Sequence, residues 1–245
     1  DMQLELVKTG LRRRDIILMT LQKVCGGKLV DKWSGEGIPI IVGNQYGAED
    51  VQIKCKQEKR PYVYIDHGYF TRGYENGVFR FCVGHFHTRD WRTSDRPYPK
   101  PNPYHGGENV IILPPASMVE YIHKAQWWLK ETVSRLSELT DRKIIIKHKG
   151  DGKLSDFLEN AHAIVSFGSH GEVESLLHGV PVFTTMGPSS RIADKLDRIE
   201  TPTLPDRGEW LSALAGAEYG LWELDKAWGR LLPLLEDWNE SLNIR

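Results

Sequence analysis

The chain has 245 residues, 40% apolar and 27% charged, with a formal net charge of −1. That composition suits a globular protein with one large core or two small ones. No apolar run approaches the ~20 residues that span a bilayer, and residues 1–15 lack the basic–apolar–small order of a secretory leader.

Charge is uneven along the chain. Residues 1–108 carry 17 Lys/Arg against 13 Asp/Glu, and residues 109–245 carry 15 against 20. The basic excess of the first part suits an anionic partner. Cys25, Cys55 and Cys82 are odd in number and widely spaced. They fit neither a disulfide scaffold nor a zinc site, which predicts a reducing, cytoplasmic setting.

Short β-branched runs bounded by Gly, Pro or Asn predict strands at 38–42, 62–65, 79–83, 109–113, 143–147, 163–166 and 180–184. Between them, apolar residues at three- and four-residue spacing predict one helix over 117–139, opened by a Ser117/Glu120 capping box. Shorter helices are predicted at 154–161 and 171–178, with terminal helices at 209–217 and 221–235. Alternating strands and helices mean an α/β fold with parallel sheets. Residues 86–108 hold four prolines and two glycines, too many for a helix or a sheet interior. They form either a surface linker or a loop closing over a site. Trp91, Tyr98, Tyr104, Arg89, Arg92 and Arg96 in that loop suit a nucleic-acid or sugar acceptor. Two halves follow, 1–108 with this loop and 109–245. In the tail, Trp210, Trp222, Trp228 and Trp238 sit at spacings that suit packing.

Ala163–Phe183 concentrates the chemistry. A strand enters the small-residue turn Phe167-Gly168-Ser169-His170-Gly171, and a helix follows that stops at Gly179. Such a turn offers backbone N–H groups and the positive end of a helix to an anion. The strand of 143–149, KIIIKHK, ends in Lys147, His148 and Lys149, and ligands of open α/β sheets lie beyond strand carboxyl ends. Lys147 and Lys149 would neutralise a diphosphate, the amides of Ser169, His170 and Gly171 would hold its oxygens, and Glu174 would accept from ribose hydroxyls. The plainer alternative makes Glu172 and Glu174 first-turn acids that complement the helix dipole, and makes the lysines a solvated strand end.

In the first half, Tyr62–Phe70 (YVYIDHGYF) carries Asp66 and His67 to a strand end, where Gly68 turns the chain. Asp66 is the first candidate for a general base and His67 the second; Arg72 and Arg80 are candidates for phosphate oxygens. As alternatives, Asp66 caps a turn and His67 is a hydrogen-bonded core residue. His85 and His87 form an HxH pair without a third ligand at a helpful spacing, so no metal is expected. No GxSxG, P-loop or CxxC pattern is present.

KIIIKHK, the short helix after it and AHAIVSFGSHGEVESLLHGVPVF together resemble the carboxy-terminal half of GT-B glycosyltransferases. The order of Tyr64–Phe70, Phe79–Phe81, the 166–182 block and Leu204–Leu211 is similar to compact phage and bacterial glycosyltransferase-like proteins, over residues 60–230. The resemblance implies two Rossmann-like halves facing a cleft, with a nucleotide diphosphate sugar, a UDP-sugar first, as donor. It implies metal-independent transfer to a hydroxyl acceptor, for which a hydroxymethylpyrimidine in phage DNA, a saccharide and a small molecule all stay open. A phage origin would place the protein in the host cytoplasm, and the oligomeric state is left open. Two other readings remain: an epimerase or hydrolase using the same donor pocket, and a non-catalytic nucleotide- or DNA-binding protein.

Overall fold

The computed structural model describes residues 2–44 and 47–238. The chain divides into two compact units, 1–97 with 212–245, and 98–211. The division differs from the 108/109 boundary read from the sequence. The proline-rich segment is shared between the units, and the tail returns to the first.

Unit 1 is built on β1 (Leu4–Val7), α1 (Arg12–Cys25), β2 (Lys28–Val30), β3 (Ile38–Val42), α2 (Ala48–Gln57), β4 (Val63–His67) and β5 (Val78–Val83). The order is completed from the far end of the chain by a late strand, Glu218–Gly220, and a terminal helix, Leu224–Glu236. The late strand pairs with β5, followed by β4, β3, β1 and β2. Strands β1 to β4 are parallel, whereas β5 and the late strand run antiparallel to their neighbours, a departure from the all-parallel expectation. The chain leaves β1 on one side for β2 and reaches β3 on the other, so strand order reverses between β1 and β3. Strand β1 escaped the sequence reading because it is four residues long and carries a buried Glu5. That carboxylate accepts from Ser34 N (2.8 Å) and Ser34 Oγ (2.5 Å). Helix α1 buries Ile17, Leu18 and Leu21 on the sheet at helical spacing. Its N-terminus has no cap from Leu11. Instead Asp15 reaches back to Thr9 N (2.7 Å) and Gly10 N (3.0 Å).

Unit 2 contains β6 (Asn109–Leu113), α3 (Ser117–His123), α4 (Trp128–Leu139), β7 (Ile144–Ile146), α5 (Leu154–Leu158), β8 (Ala161–Ser166), α6 (Gly171–His178) and β9 (Val182–Thr184). Its four strands are parallel in the order β7-β6-β8-β9. Order reverses between β6 and β8. Helix α7 (Gly208–Ala215) carries the chain from unit 2 into unit 1, where β10 (Glu218–Gly220) and α8 (Leu224–Glu236) follow.

The single helix expected over 117–139 is two. Lys124 adopts a left-handed conformation (φ 52°), and Trp128 restarts the helix with its ring buried and its Nε1 donating to Thr185 Oγ1 at 2.8 Å. The Ser117 capping box is absent, because Ala116 holds the N-cap position. Among the tail tryptophans, Trp210 is buried and donates to Pro188 O, while Trp222 is 73% exposed and does not serve packing. Among the described residues no helix is long and apolar enough to cross a membrane.

Candidate functional site

In unit 1 the residues of interest stand at the carboxyl end of β4. Antiparallel register sets Asp66 opposite Arg80, and Arg80 opposite Glu218, across three neighbouring strands. Directly opposed residues share a face, which sets the Arg80 guanidinium beside the Asp66 carboxylate. Period two also brings Tyr64 onto the Asp66 face, and its hydroxyl donates to Asp66 Oδ2 at 2.7 Å. Tyr74 Oη donates to Oδ1 at 2.8 Å, His67 N donates to Oδ1 at 2.9 Å, and Arg80 Nη2 stands 3.7 Å from Oδ2. Burial pushes the Asp66 carboxyl up, but Arg80 and the three donors more than offset this and hold it below the usual range. Asp66 is therefore ionised at neutral pH.

His67 sits beside it with a third of its side chain exposed. Gly73 N donates to its Nδ1 at 3.0 Å. In the neutral ring the proton then belongs on Nε2, which faces Asp66 Oδ1 at 3.9 Å. Burial holds the imidazole below its ordinary pKa, so the neutral form prevails at pH 7. Arg80, expected at phosphate oxygens, is buried and committed within the unit. Its Nε donates to Phe86 O (3.0 Å) and its Nη1 to His67 O (2.8 Å). Arg72 is exposed on the loop that follows.

Glu218 escaped the sequence reading. Its carboxylate accepts from Phe70 N at 2.8 Å and is further bonded by Tyr69, Thr71 and the Thr71 side chain. It ties down the loop leaving Asp66–His67. A Cβ at Gly68 would lie 3.0 Å from Glu218 Oε2 and 2.5 Å from Thr71 O, so close approach demands glycine there. No local signal links positions 68 and 218; only the return of the tail does.

In unit 2 the predicted residues gather at the carboxyl ends of β7 and β8. Lys147 is half-buried, with Nζ on His148 O (3.2 Å) and above the Phe157 ring, and Lys149 is exposed. The turn is already bonded internally. Ser166 Oγ accepts from Gly168 N (3.2 Å) and Ser169 N (2.9 Å), and Ser169 Oγ accepts from Gly171 N (3.0 Å). Of the amides assigned to phosphate, those of Ser169 and Gly171 thus have partners in the turn; His170 forms the N-cap of α6. Glu174 is exposed on α6.

The unexpected residue here is Glu172, which is fully buried. It accepts from Thr184 Oγ1 (2.6 Å), Ser189 N (3.1 Å) and Ser189 Oγ (2.6 Å), with Ser166 Oγ as a further partner. Burial outweighs these bonds and raises its pKa. One carboxyl group thereby joins the turn after β8 to the loop after β9. A Cβ at Gly187 would collide with it. The dipole reading of Glu172 needs only sequence position; its network needs the β9 loop folded over α6.

The aromatic and basic loop is strapped down. Within unit 1, Arg92 and Arg230 hold Asp90, and Arg96 forms a bidentate pair with Glu223 (3.0 and 2.6 Å). Ser94 and Ser212 exchange three hydrogen bonds. Within unit 2, Tyr104 Oη donates to Pro205 O, and Arg207 stacks on its ring. His85 and His87 engage each other, and among the described residues no group of three metal-ligating side chains converges.

These two carboxyl-edge clusters lie on a fold shared with known enzymes. No family model matches the sequence, and no curated protein matches it. Among solved structures, the KpsC beta Kdo 2,7 transferase of Thermosulfurimonas dismutans superposes with a TM-score of 0.53 at 10% identity, covering 96% of this chain and 99% of that one. The beta Kdo 2,4 transferase of the same organism's KpsC gives 0.49 at 16% identity, covering 89% and 92%. The fold is GT-B-like, as the sequence resemblance implied.

Proposed function

We propose that this chain is a glycosyltransferase that moves a sugar from a nucleotide diphosphate sugar to a hydroxyl acceptor. The observation that carries the reading is a GT-B-like fold shared with a Kdo transferase over nearly the whole of both chains. The carboxyl-edge clusters support it, since α/β folds bind ligands at those edges. Fold alone does not fix an activity, so the residues must supply the chemistry.

In this reading the acceptor oxygen forms a bond to the anomeric carbon as the bond from that carbon to the diphosphate oxygen breaks. Asp66, ionised and fixed by its two tyrosines, takes the acceptor proton. His67 donates a hydrogen bond from Nε2. Arg80 orients both rather than touching phosphate. In unit 2, Lys147 and Lys149 bind the diphosphate of the donor and offset its charge, beside a 168–171 turn whose Gly168, Ser169 and Gly171 amides are already bonded within the turn, and Glu174 takes the ribose. This route requires no metal at the reacting carbon. Saccharide is the favoured acceptor class, because Arg92 and Arg96 of the loop already hold carboxylates and are poorly placed to serve as the basic surface that DNA needs.

A thermal-shift screen of uridine, guanosine, cytidine and thymidine diphosphate sugars tests the donor, with a UDP-sugar expected to raise the melting temperature. Asp66→Asn should keep donor binding and lower turnover at least about a hundredfold. Release of free nucleotide with no acceptor present would instead favour the hydrolase reading.

A further inference from the structure

Arg14 is, with Arg80, a buried guanidinium of unit 1, and the transfer chemistry above does not use it. It lies in the first turn of α1 with 7% of its surface exposed. Of its donors, Nε is buried without a partner, and Nη1 makes one bond at the limit of length, 3.5 Å to Val42 O. No ion pair joins it to an acid among the described residues. Asp15, one residue on, is bonded to Thr9 and Gly10, and Asp66 has Arg80 as its own cation. Among the described residues, Glu49 Oε2 on α2 is the other buried side-chain atom without a partner, and no ion pair joins it to Arg14.

The surroundings are shaped for this head group. A Cβ at Gly43, which has φ of +69°, would stand 2.7 Å from Arg14 Nη1 and 3.3 Å from Tyr74 Oη. The bare backbone at the end of β3 therefore makes room for the guanidinium beside Tyr74. The Tyr74 ring lies 5.0 Å from the Arg14 guanidinium, 5.8 Å from that of the exposed Arg13, and 4.4 Å from the His67 imidazole. All of this is at the carboxyl ends of β1 and β3, where the strand order of unit 1 reverses and α/β folds place ligands. A buried cation without a counter-ion is costly. A buried group left unpaired in a native protein has a reason, whether stored strain, a catalytic role, or a bound water or ion.

We propose that Arg14 anchors an oxyanion site at the β1/β3 edge of unit 1, with Arg13 at its rim, which takes a carboxylate or phosphate group carried by the acceptor. The assignment of that anion to the acceptor rests on the glycosyltransferase reading; the anion site itself does not. A guanidinium suits either planar carboxylate or phosphate.

The test is calorimetric titration of the full chain, with no donor present, using inorganic phosphate and glucuronate separately. One probe should bind at a single site, and Arg14→Gln should weaken it at least about tenfold, while Arg14→Lys retains more affinity than Arg14→Gln. Stronger binding of phosphate identifies a phosphorylated acceptor, and stronger binding of glucuronate an acidic sugar. If neither probe binds at about 10 mM, or if Arg14→Gln binds as wild type does, the proposal is wrong. Should Arg14→Gln fail to fold, the Nε–H resonance of Arg14 in the wild-type chain decides: a saturable shift with the probe supports the site, and no shift overturns it. Because no donor is present, loss of sugar transfer alongside intact anion binding would count against the transferase reading and leave the site standing.

Discussion

Asp66 and Glu172 show how position within a strand or helix fails to predict what a carboxylate does. Both accept several hydrogen bonds, yet their acidities move in opposite directions. Asp66 has Arg80 beside it and is held down; Glu172 has only neutral donors, and burial pushes it up. Gly187 follows from the second case, because any side chain there meets the Glu172 carboxylate. Gly187→Ala should cost about 1–3 kcal/mol in urea unfolding. Pairing it with Glu172→Ala should give less than the sum of the two losses, since they share one contact. Additive losses would place the glycine's role elsewhere. Glu218 offers a charge test. Burial raises its folded pKa, so the ionised form costs stability as pH rises through that value, and the protonated form is favoured below the unfolded carboxyl range of about 4.3. The stability of Glu218→Gln relative to wild type should therefore increase from pH 4 to pH 8, read by denaturant unfolding at each pH.

At the scale of elements, the ends are set by backbone conformation as much as by periodicity. Helix α6 closes at Gly179 (φ 101°), whose N–H donates to Ser175 O and whose neighbour Val180 N donates to the same carbonyl. A Cβ there would also collide with Pro103 O, in the segment that Asn102 N, donating to Leu177 O, and His105 N, donating to Gly179 O, tie to the end of α6. Gly179→Ala should destabilise by about 2 kcal/mol or more, measured by thermal unfolding. The Arg96–Glu223 pair fixes the other part of that segment to the start of α8. The guanidinium holds Glu223 down to about 2. Its stabilising effect is present above the unfolded Glu range, about 4.3, and is lost as pH falls through the folded value. In Arg96→Ala the fall in melting temperature between pH 4 and pH 2 should be shallower than in wild type. Legibility was good for strands such as β3 and β6, whose bounds coincide with their apolar runs, and for α6 with its glycine stop. It was poor for β1 and for the break at Lys124. A buried Glu in a four-residue strand looks polar, and a left-handed lysine leaves no mark in an apolar pattern.

For the whole molecule, the sequence by itself determined the class: alternating apolar runs and amphipathic stretches bury themselves as largely parallel sheets covered by helices. It also determined where to look, because Asp66, His67 and the 168–171 turn fall at strand carboxyl ends in any α/β arrangement of these runs. Which side chains are committed was decided by tertiary structure alone. Arg80 is spent on Asp66 and two carbonyls because the antiparallel register of β4 and β5 places it there. Glu218 reaches the 68–71 loop because the tail returns to pair with β5. Arg14 remains unmatched because the order reversal beside β1 buries it next to a bare Gly43. Hydrogen bonds and ion pairs join residues far apart in the chain, and their short range makes them depend on register and packing that no local pattern encodes.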